Sequence, residues 1–240
     1  NRAGEVEYLT FPLLEQTGIV KHLFTTRLGG VSRGEFSSMN LSFTRGDREE
    51  DVHANYRRIA KVMGCEPGDM TASHQTHTTN IRRVTREDRG KGIVRERDYE
   101  EIDGLITNEP GIVLVTYFAD CVPLYFVDPV HGAIGLAHSG WRGTAGRMGE
   151  CMVHAMEQNF AARAEDLYAA IGPSICRDCY EVSGEVALQF EDMPGSGVVT
   201  PGKKPGKYQL DLWLANRLIL EQAGIRRDHI AVTDICTCHN

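Results

Sequence analysis

Three short stretches of the sequence collect the side chains best suited to chemistry. "SHQTHTTN" sets His74 and His77 three residues apart among Gln75, Thr76, Thr78 and Asn80; "ADC" ends an apolar run at Cys121; "AHSGWRGTAG" carries His138 and Arg142 among glycines. Imidazole nitrogen and thiolate sulfur are donors that zinc favours, and a catalytic zinc commonly takes three protein ligands and leaves a fourth position for water. One histidine of the first pair, with Cys121 and His138, would supply such a triplet, and spacing alone does not choose between His74 and His77. A cysteine beside a histidine would also serve a hydrolase without metal, because the imidazole lowers the thiol's pKa. Against these readings stand plainer ones: histidines hydrogen-bonded in loops, and a structural thiol buried at a strand end.

The segment "CVPLYFVDPVHGAIGLAHSGW" reads as a hairpin. A turn over "DPVH", with Pro129 at its first corner, would set residue 127 opposite 132 and, carried outward, Cys121 opposite His138. Directly opposed residues have Cβ atoms about 4.5–5.5 Å apart, close enough to share a metal or a proton. A slip of one residue would leave Ser139 opposite Cys121 instead. After the hairpin, Gly140 and Gly143 permit close backbone approach, a helix predicted to begin near Thr144 would aim free N–H groups at an anion, and Arg142 could add a bidentate phosphate contact. "TTRLGGVSRGEF" offers a second turn of this kind, with Arg27, Gly29, Gly30 and Ser32.

Five further residues compete for a metal. Cys176 and Cys179 form a Cys-x-x-Cys pair, and Cys236, Cys238 and His239 lie together in "CTCHN". Together they could bind a structural zinc, although Cys-x-Cys-His is a less usual spacing than paired Cys-x-x-Cys knuckles. Cys65 and Cys151 have no companion motif and are expected in the core.

Elements must hold these residues in place. Extended runs recur at "IVKHLFTTR", "NIRRV", "DGLIT", "GIVLVTYF", "PLYFV", "AIGLA", "LYAAIG" and "GVVT", with helical patterns near 49–63, 144–160, 182–192 and 209–223. The connections between 112–118, 122–127 and 133–137 are too short for parallel crossovers, so a mixed α/β or α+β chain with partly antiparallel sheet is predicted. Without repeats or a linker-like stretch, residues 1–240 read as one domain. The 240 residues are 41% hydrophobic with a net charge of -7, which argues against a general nucleic-acid or anionic-membrane surface. No apolar run reaches the roughly 18 residues of a membrane span. With seven cysteines at irregular spacing, the expectation is a cytosolic protein with reduced thiols.

Taken together, "FTTRLGGVSRGEFSSMNLSF", "HQTH", "DGLITNEPGIVLVTYFADCVPLYFVDP", "GAIGLAHSGWRGTAG", "IGPSICRDCYEV" and "LDLWLANRLIL" resemble the multicopper polyphenol oxidoreductase (laccase-like) family, also called the peptidoglycan editing factor family. The resemblance covers almost the whole chain. It implies a layered α/β/β/α sandwich and a zinc held by His77, Cys121 and His138, which would also be the catalytic residues; it thereby chooses His77 over His74. It implies phosphorolysis of adenosine, inosine and methylthioadenosine and deamination of adenosine, with purine nucleosides and phosphate as partners. Arg27, Arg142 and the helix after His138 are then candidates for phosphate, and Asn40 for polar substrate contacts. The same fold in toxin deamidases keeps a Cys-His or zinc amidase acting on peptidoglycan precursors in play. Copper-dependent polyphenol oxidation is disfavoured, because blue-copper and trinuclear centres require more closely spaced histidines than this chain gathers. The family's pattern continues past "CTCHN" into a Ser-Tyr-Arg-Arg type motif that this sequence does not include.

Overall fold

The computed structural model describes residues 1–193 and 197–239. Along them run β1 (Arg2–Ala3), β2 (Val6–Leu9), α1 (Pro12–Glu15), β3 (Phe24–Thr25), α2 (Glu49–Met63), β4 (Met70–Ala72), β5 (Ile81–Arg83), β6 (Gly104–Thr107), β7 (Val113–Val115), β8 (Val122–Asp128), β9 (Ala133–Ser139), α3 (Trp141–Ala145), α4 (Met148–Phe160), β10 (Tyr168–Ile171), β11 (Glu181–Ser183), α5 (Gly184–Leu188), β12 (Val199–Pro201), β13 (Lys207–Leu210), α6 (Leu212–Gln222) and β14 (Ile230–Val232). The central sheet has six strands in the order β14-β10-β8-β9-β6-β5, and β4 pairs with β7 in a small parallel sheet. The β8–β9, β8–β10 and β6–β9 pairs are antiparallel, whereas β5–β6 and β10–β14 are parallel, so the mixed α/β expectation holds.

Period-two patterning sorts the layers. In β8, Leu124 and Phe126 face the core formed with Met148, Met152 and Met156 of α4 and Leu212 and Ala215 of α6. Tyr125 and Val127 point the other way, to Phe11, Leu14 and Leu114. Strand β7 divides likewise: Leu114 meets the central sheet, while Val113 and Val115 pack with Val52, Tyr56 and Ile59 of α2. Helices, sheet, sheet and helix therefore follow one another, as a layered α/β/β/α sandwich requires. Each large apolar side chain removed from water in these layers contributes about 1.5–3 kcal/mol.

Helix α2 shows why its segment is helical. Val52, Tyr56, Ile59 and Ala60 form one buried stripe, Glu49, Glu50 and Asp51 crowd the positive N-terminal end, and Gly64 stops the helix at φ 71°. Met152 of α4 approaches β9 closely over Gly135, where a Cβ would come within 2.7 Å of its Cε.

Four expectations need correction. The hairpin turn sits one residue later than predicted: Asp128 stays paired with Ala133 and Val127 with Ile134, so Pro123, not Cys121, stands opposite His138. Asp128 accepts from the amides of Val130 (2.9 Å) and His131 (3.2 Å), and Gly132 takes the left-handed corner at φ 64°. The predicted helix over 144–160 is two helices: α3 already begins at Trp141, and Arg147, left-handed at φ 59°, precedes α4. Thr144 is therefore buried inside α3 rather than opening a helix. The pattern over 182–192 splits between β11 and α5, and the start of 209–223 belongs to β13.

Candidate metal centre

Four chain segments end at one place. The loop leaving β4 carries His77, the loop leaving β7 carries Cys121, β9 carries His138 near its end, and Asp103 immediately precedes β6. The donor atoms of His77, Cys121 and His138 all lie within 4.8 Å of one another. Donors bonded to one tetrahedral zinc at about 2.0–2.3 Å sit about 3.3–3.8 Å apart, so only a small adjustment brings them onto a single ion. His138 is buried at 4% exposure, Cys121 half-buried and His77 exposed. His74, the other candidate of its pair, is elsewhere engaged: its Nδ1 accepts from the Glu101 amide at 3.1 Å and its backbone bridges Ile102.

Asp103 is the residue that sequence reasoning missed. The β6–β9 register pairs Gly104 with Ala137, and the next pair outward is Asp103 and His138, whose amide donates to the Asp103 carbonyl at 2.9 Å. Asp103 Oδ1 lies 2.7 Å from His138 Nδ1, which leaves Nε2 for the metal side. The same carboxylate accepts from the amides of Thr76 (3.0 Å), His77 (3.1 Å) and Thr78 (3.0 Å) and from the Thr78 hydroxyl (3.0 Å). His77 adopts φ 67°, and this left-handed residue is what turns three successive N–H groups toward one anion. A signal for Asp103 existed only in hindsight, as the acidic residue opening "DGLIT".

Electrostatics follow from this arrangement. Burial would raise the Asp103 carboxyl, but His138 and the amides of Thr76 and Thr78 outweigh it and hold the pKa at about 2. Burial would lower His138, yet Asp103 and Cys121 together raise it to about 9. A cation replacing the proton at Nε2 would take over the same charge balance.

Gly140 makes room for the cluster. Carried past the last pair of the β8–β9 ladder, the register sets it against Cys121, and a Cβ there would lie 2.8 Å from Cys121 Sγ and 3.2 Å from His77 Cδ2. Gln75 ties two of the loops together, accepting from the Tyr117 amide at 2.8 Å and donating to the Tyr117 carbonyl at 2.6 Å.

The three donors open onto a cleft of about 1090 Å³ whose lining includes Phe24, Asn40, Phe43, Tyr117 and Phe118, with Lys21, Arg45 and Arg97 as its cations. The sequence over residues 21–240 matches the model of a family described as multi-copper polyphenol oxidoreductase laccase. The chain belongs to this multi-copper polyphenol oxidoreductase laccase family. The purine nucleoside phosphorylase YlmD of Geobacillus stearothermophilus is 41% identical over 219 residues, which are 89% of this chain and 79% of that protein. Its namesake from Bacillus subtilis is 38% identical over 219 residues, 89% of this chain and 78% of that one. Among solved structures, YlmD from Geobacillus stearothermophilus superposes with a TM-score of 0.84 at 40% identity, covering 90% of this chain and 81% of that one. The Bacillus licheniformis hypothetical protein YfiH gives 0.86 at 35% identity, covering 91% and 83%.

Within this laccase-family fold, the remaining sequence candidates are placed as follows. Asn40 lines the cleft, but its amide donates to Asp47 Oδ2 (2.9 Å) and the Ser42 carbonyl (3.2 Å), bracing the 40–47 loop. Arg27 is exposed, with the Ser37 carbonyl 3.4 Å away, and Arg142 is exposed with its guanidinium 4.3 Å over the Trp141 ring. Neither belongs to the cleft lining. Among the described residues no helix is long and apolar enough to cross a membrane.

Proposed function

We propose that the protein is a zinc-dependent enzyme of purine nucleosides that phosphorolyses adenosine, inosine and methylthioadenosine and deaminates adenosine. The observation that carries this reading is the His77, Cys121 and His138 donor set, braced by Asp103, at the wall of a cleft large enough for a nucleoside. The relatives' name, purine nucleoside phosphorylase, supports the substrate class. Two nitrogens and one sulfur suit zinc, and three protein ligands leave room for a fourth partner. When bound, zinc would act as a Lewis acid and lower the pKa of a water molecule to about 7.

The chain's own residues have distinct tasks. His77, Cys121 and His138 hold the cation, and Asp103 keeps His138 in the tautomer that offers Nε2. Phe24, Phe43, Tyr117 and Phe118 give the cleft an aromatic lining for a purine. Lys21, Arg45 and Arg97 supply positive charge within the cleft for phosphate. Arg27 and Arg142, both exposed and outside the cleft lining, are kept as candidates for phosphate, and Asn40 is assigned to the shape of the loop that faces substrate. In phosphorolysis a phosphate oxygen bonds to ribose C1′ while the glycosidic bond breaks, and the base leaves with the electron pair and takes up a proton. In deamination a water oxygen replaces the C6 amino group, which departs as ammonia.

Incubating zinc-loaded protein with adenosine, with and without phosphate, and separating the products by chromatography tests both halves. Phosphate-dependent adenine supports phosphorolysis, and phosphate-independent inosine supports deamination. Unchanged adenosine in both incubations would overturn the proposal. Cleavage of a muropeptide amide would then favour an amidase, a reading to which the nearness of Cys121 to His138 also lends itself.

A further inference from the structure

A second set of sulfur and nitrogen donors lies apart from the cleft lining. Parallel pairing of β10 with β14 sets Ile171 beside Val232, and past the strands Ser174 bridges Cys236. The Ser174 amide donates to the Ile235 carbonyl and the Thr237 amide donates back to Ser174, each at 3.2 Å. Two tight turns follow from this pairing. Residues Arg177–Cys179 wind into a 3-10 turn, and the His239 amide closes on the Cys236 carbonyl at 3.3 Å. One donor atom from each of Cys176, Cys179, Cys236 and His239 thus comes within 4.8 Å of all the others. Cys179 Sγ is 3.0 Å from His239 Nε2, across 60 residues of sequence, and the Cys176 amide donates to Cys236 Sγ at 3.3 Å.

We propose that Cys176, Cys179, Cys236 and His239 form a second metal site that takes a thiophilic divalent cation of the zinc class and serves the structure rather than the reaction. Three sulfurs and one imidazole complete a tetrahedron from protein alone, and a closed set of four ligands is the mark of a structural zinc. An amide donating to a ligand sulfur, as Cys176 does to Cys236, stabilises thiolate. Cys238, exposed and beside Cys179, stands outside the four.

The position gives the site its purpose. The Ile175 amide donates to the Asp120 carbonyl at 3.0 Å, and the Thr237 hydroxyl donates to Asp120 Oδ1 at 2.8 Å. Both loops of the cluster therefore grip the residue next to Cys121. A cation joining them pins the 174–179 and 235–239 segments together and steadies the end of the loop that presents Cys121. This role is independent of which reaction the cleft performs.

Zinc content of the whole chain, measured by elemental mass spectrometry, is the direct test. Wild-type protein is expected to hold about two zinc ions per chain, the Cys121→Ser/His138→Ala variant about one, and the Cys179→Ser/Cys236→Ser variant about one. Because the last variant could fail to fold, the Cys121→Ser/His138→Ala protein is also loaded with Co²⁺. A tetrahedral site with three thiolates shows an intense sulfur-to-cobalt charge-transfer band, and removing the cobalt with a chelator should open Cys176, Cys179 and Cys236 to alkylation. The proposal is overturned if the Cys121→Ser/His138→Ala protein binds neither cation, if its cobalt spectrum lacks the thiolate band, or if alkylation of the three cysteines ignores the chelator.

Discussion

Asp103 and His138 are neighbours across the β6–β9 ladder, with 2.7 Å between Oδ1 and Nδ1, and the same carboxylate receives the backbone amides that hold His77. One buried side chain thereby orients two of the three candidate ligands. Asp103→Asn is expected to weaken zinc binding by about 10–100-fold, the usual effect of removing a ligand's supporting carboxylate. Competition with a chromogenic chelator reads the loss, and unchanged affinity would show that Asp103 has no part in holding the site.

Removing a ligand should act more severely than removing its support. Cys121→Ala protein is expected to lose bound zinc at the first site and all nucleoside turnover, while its circular dichroism stays that of the wild type. Undiminished turnover would exclude the proposed role of Cys121.

Gly140→Ala tests the space between Cys121 and His77 without disturbing the backbone, since φ of -71° at this position suits alanine. The added methyl would sit 2.8 Å from Cys121 Sγ, so a fall in zinc affinity of about tenfold or more is expected. The melting temperature of the metal-free protein should change little. A normal affinity would mean that the loop yields without cost.

Acid stability should report on Asp88. Burial alone would raise its pKa, but Lys91 and Arg82, each donating at 2.8 Å, and the Thr85 amide hold it at about 2. A carboxyl depressed in the folded state contributes stability that is present above its unfolded value of about 4 and is lost as pH falls toward 2. Asp88→Asn should therefore lower stability by about 2–3 kcal/mol at pH 7. Between pH 4 and 2 it should lose less further stability than the wild type does. Urea unfolding at both pH values measures the difference.

Asn216 joins α6 to the segment around His138: its amide donates to Thr144 Oγ1 (3.0 Å) and the Leu212 carbonyl (2.9 Å), and its oxygen accepts from Ser139 at 3.1 Å. All three side chains are fully buried. Asn216→Ala strands the two hydroxyls away from water, so a loss of about 1–3 kcal/mol in urea unfolding is expected. A loss below about 0.5 kcal/mol would show that Ser139 and Thr144 satisfy each other across their 3.0 Å contact.

Much of the site could be read before folding. Cys121 and His138 stood out by type and surroundings, the choice of His77 over His74 came from the family resemblance, and strands were legible wherever apolar residues ran together between turns. The hairpin was found but its register was not, because Pro129 marks the turn while Asp128 and Gly132 together decide its frame. Shifting the turn by one residue moved every pairing by two, and Cys121 came to face Gly140. Contact between Cys121 and His138 survived because the site lies where several loop ends converge, so it does not depend on one cross-strand pair.

Residue types and local periodicity are properties of the chain itself, and they determined the donor chemistry, the helix over 49–63 and the mixed sheet. Which donors meet depends on segments far apart in sequence, since Asp103 reaches His138 across 35 residues and His239 reaches Cys179 across 60. Strand order and parallel or antiparallel pairing set those meetings, and they arise from burying both faces of the central sheet at once. No local pattern encodes that packing, so only the tertiary structure decided that one aspartate serves two histidines and that Cys176, Cys179, Cys236 and His239 come within reach of one another.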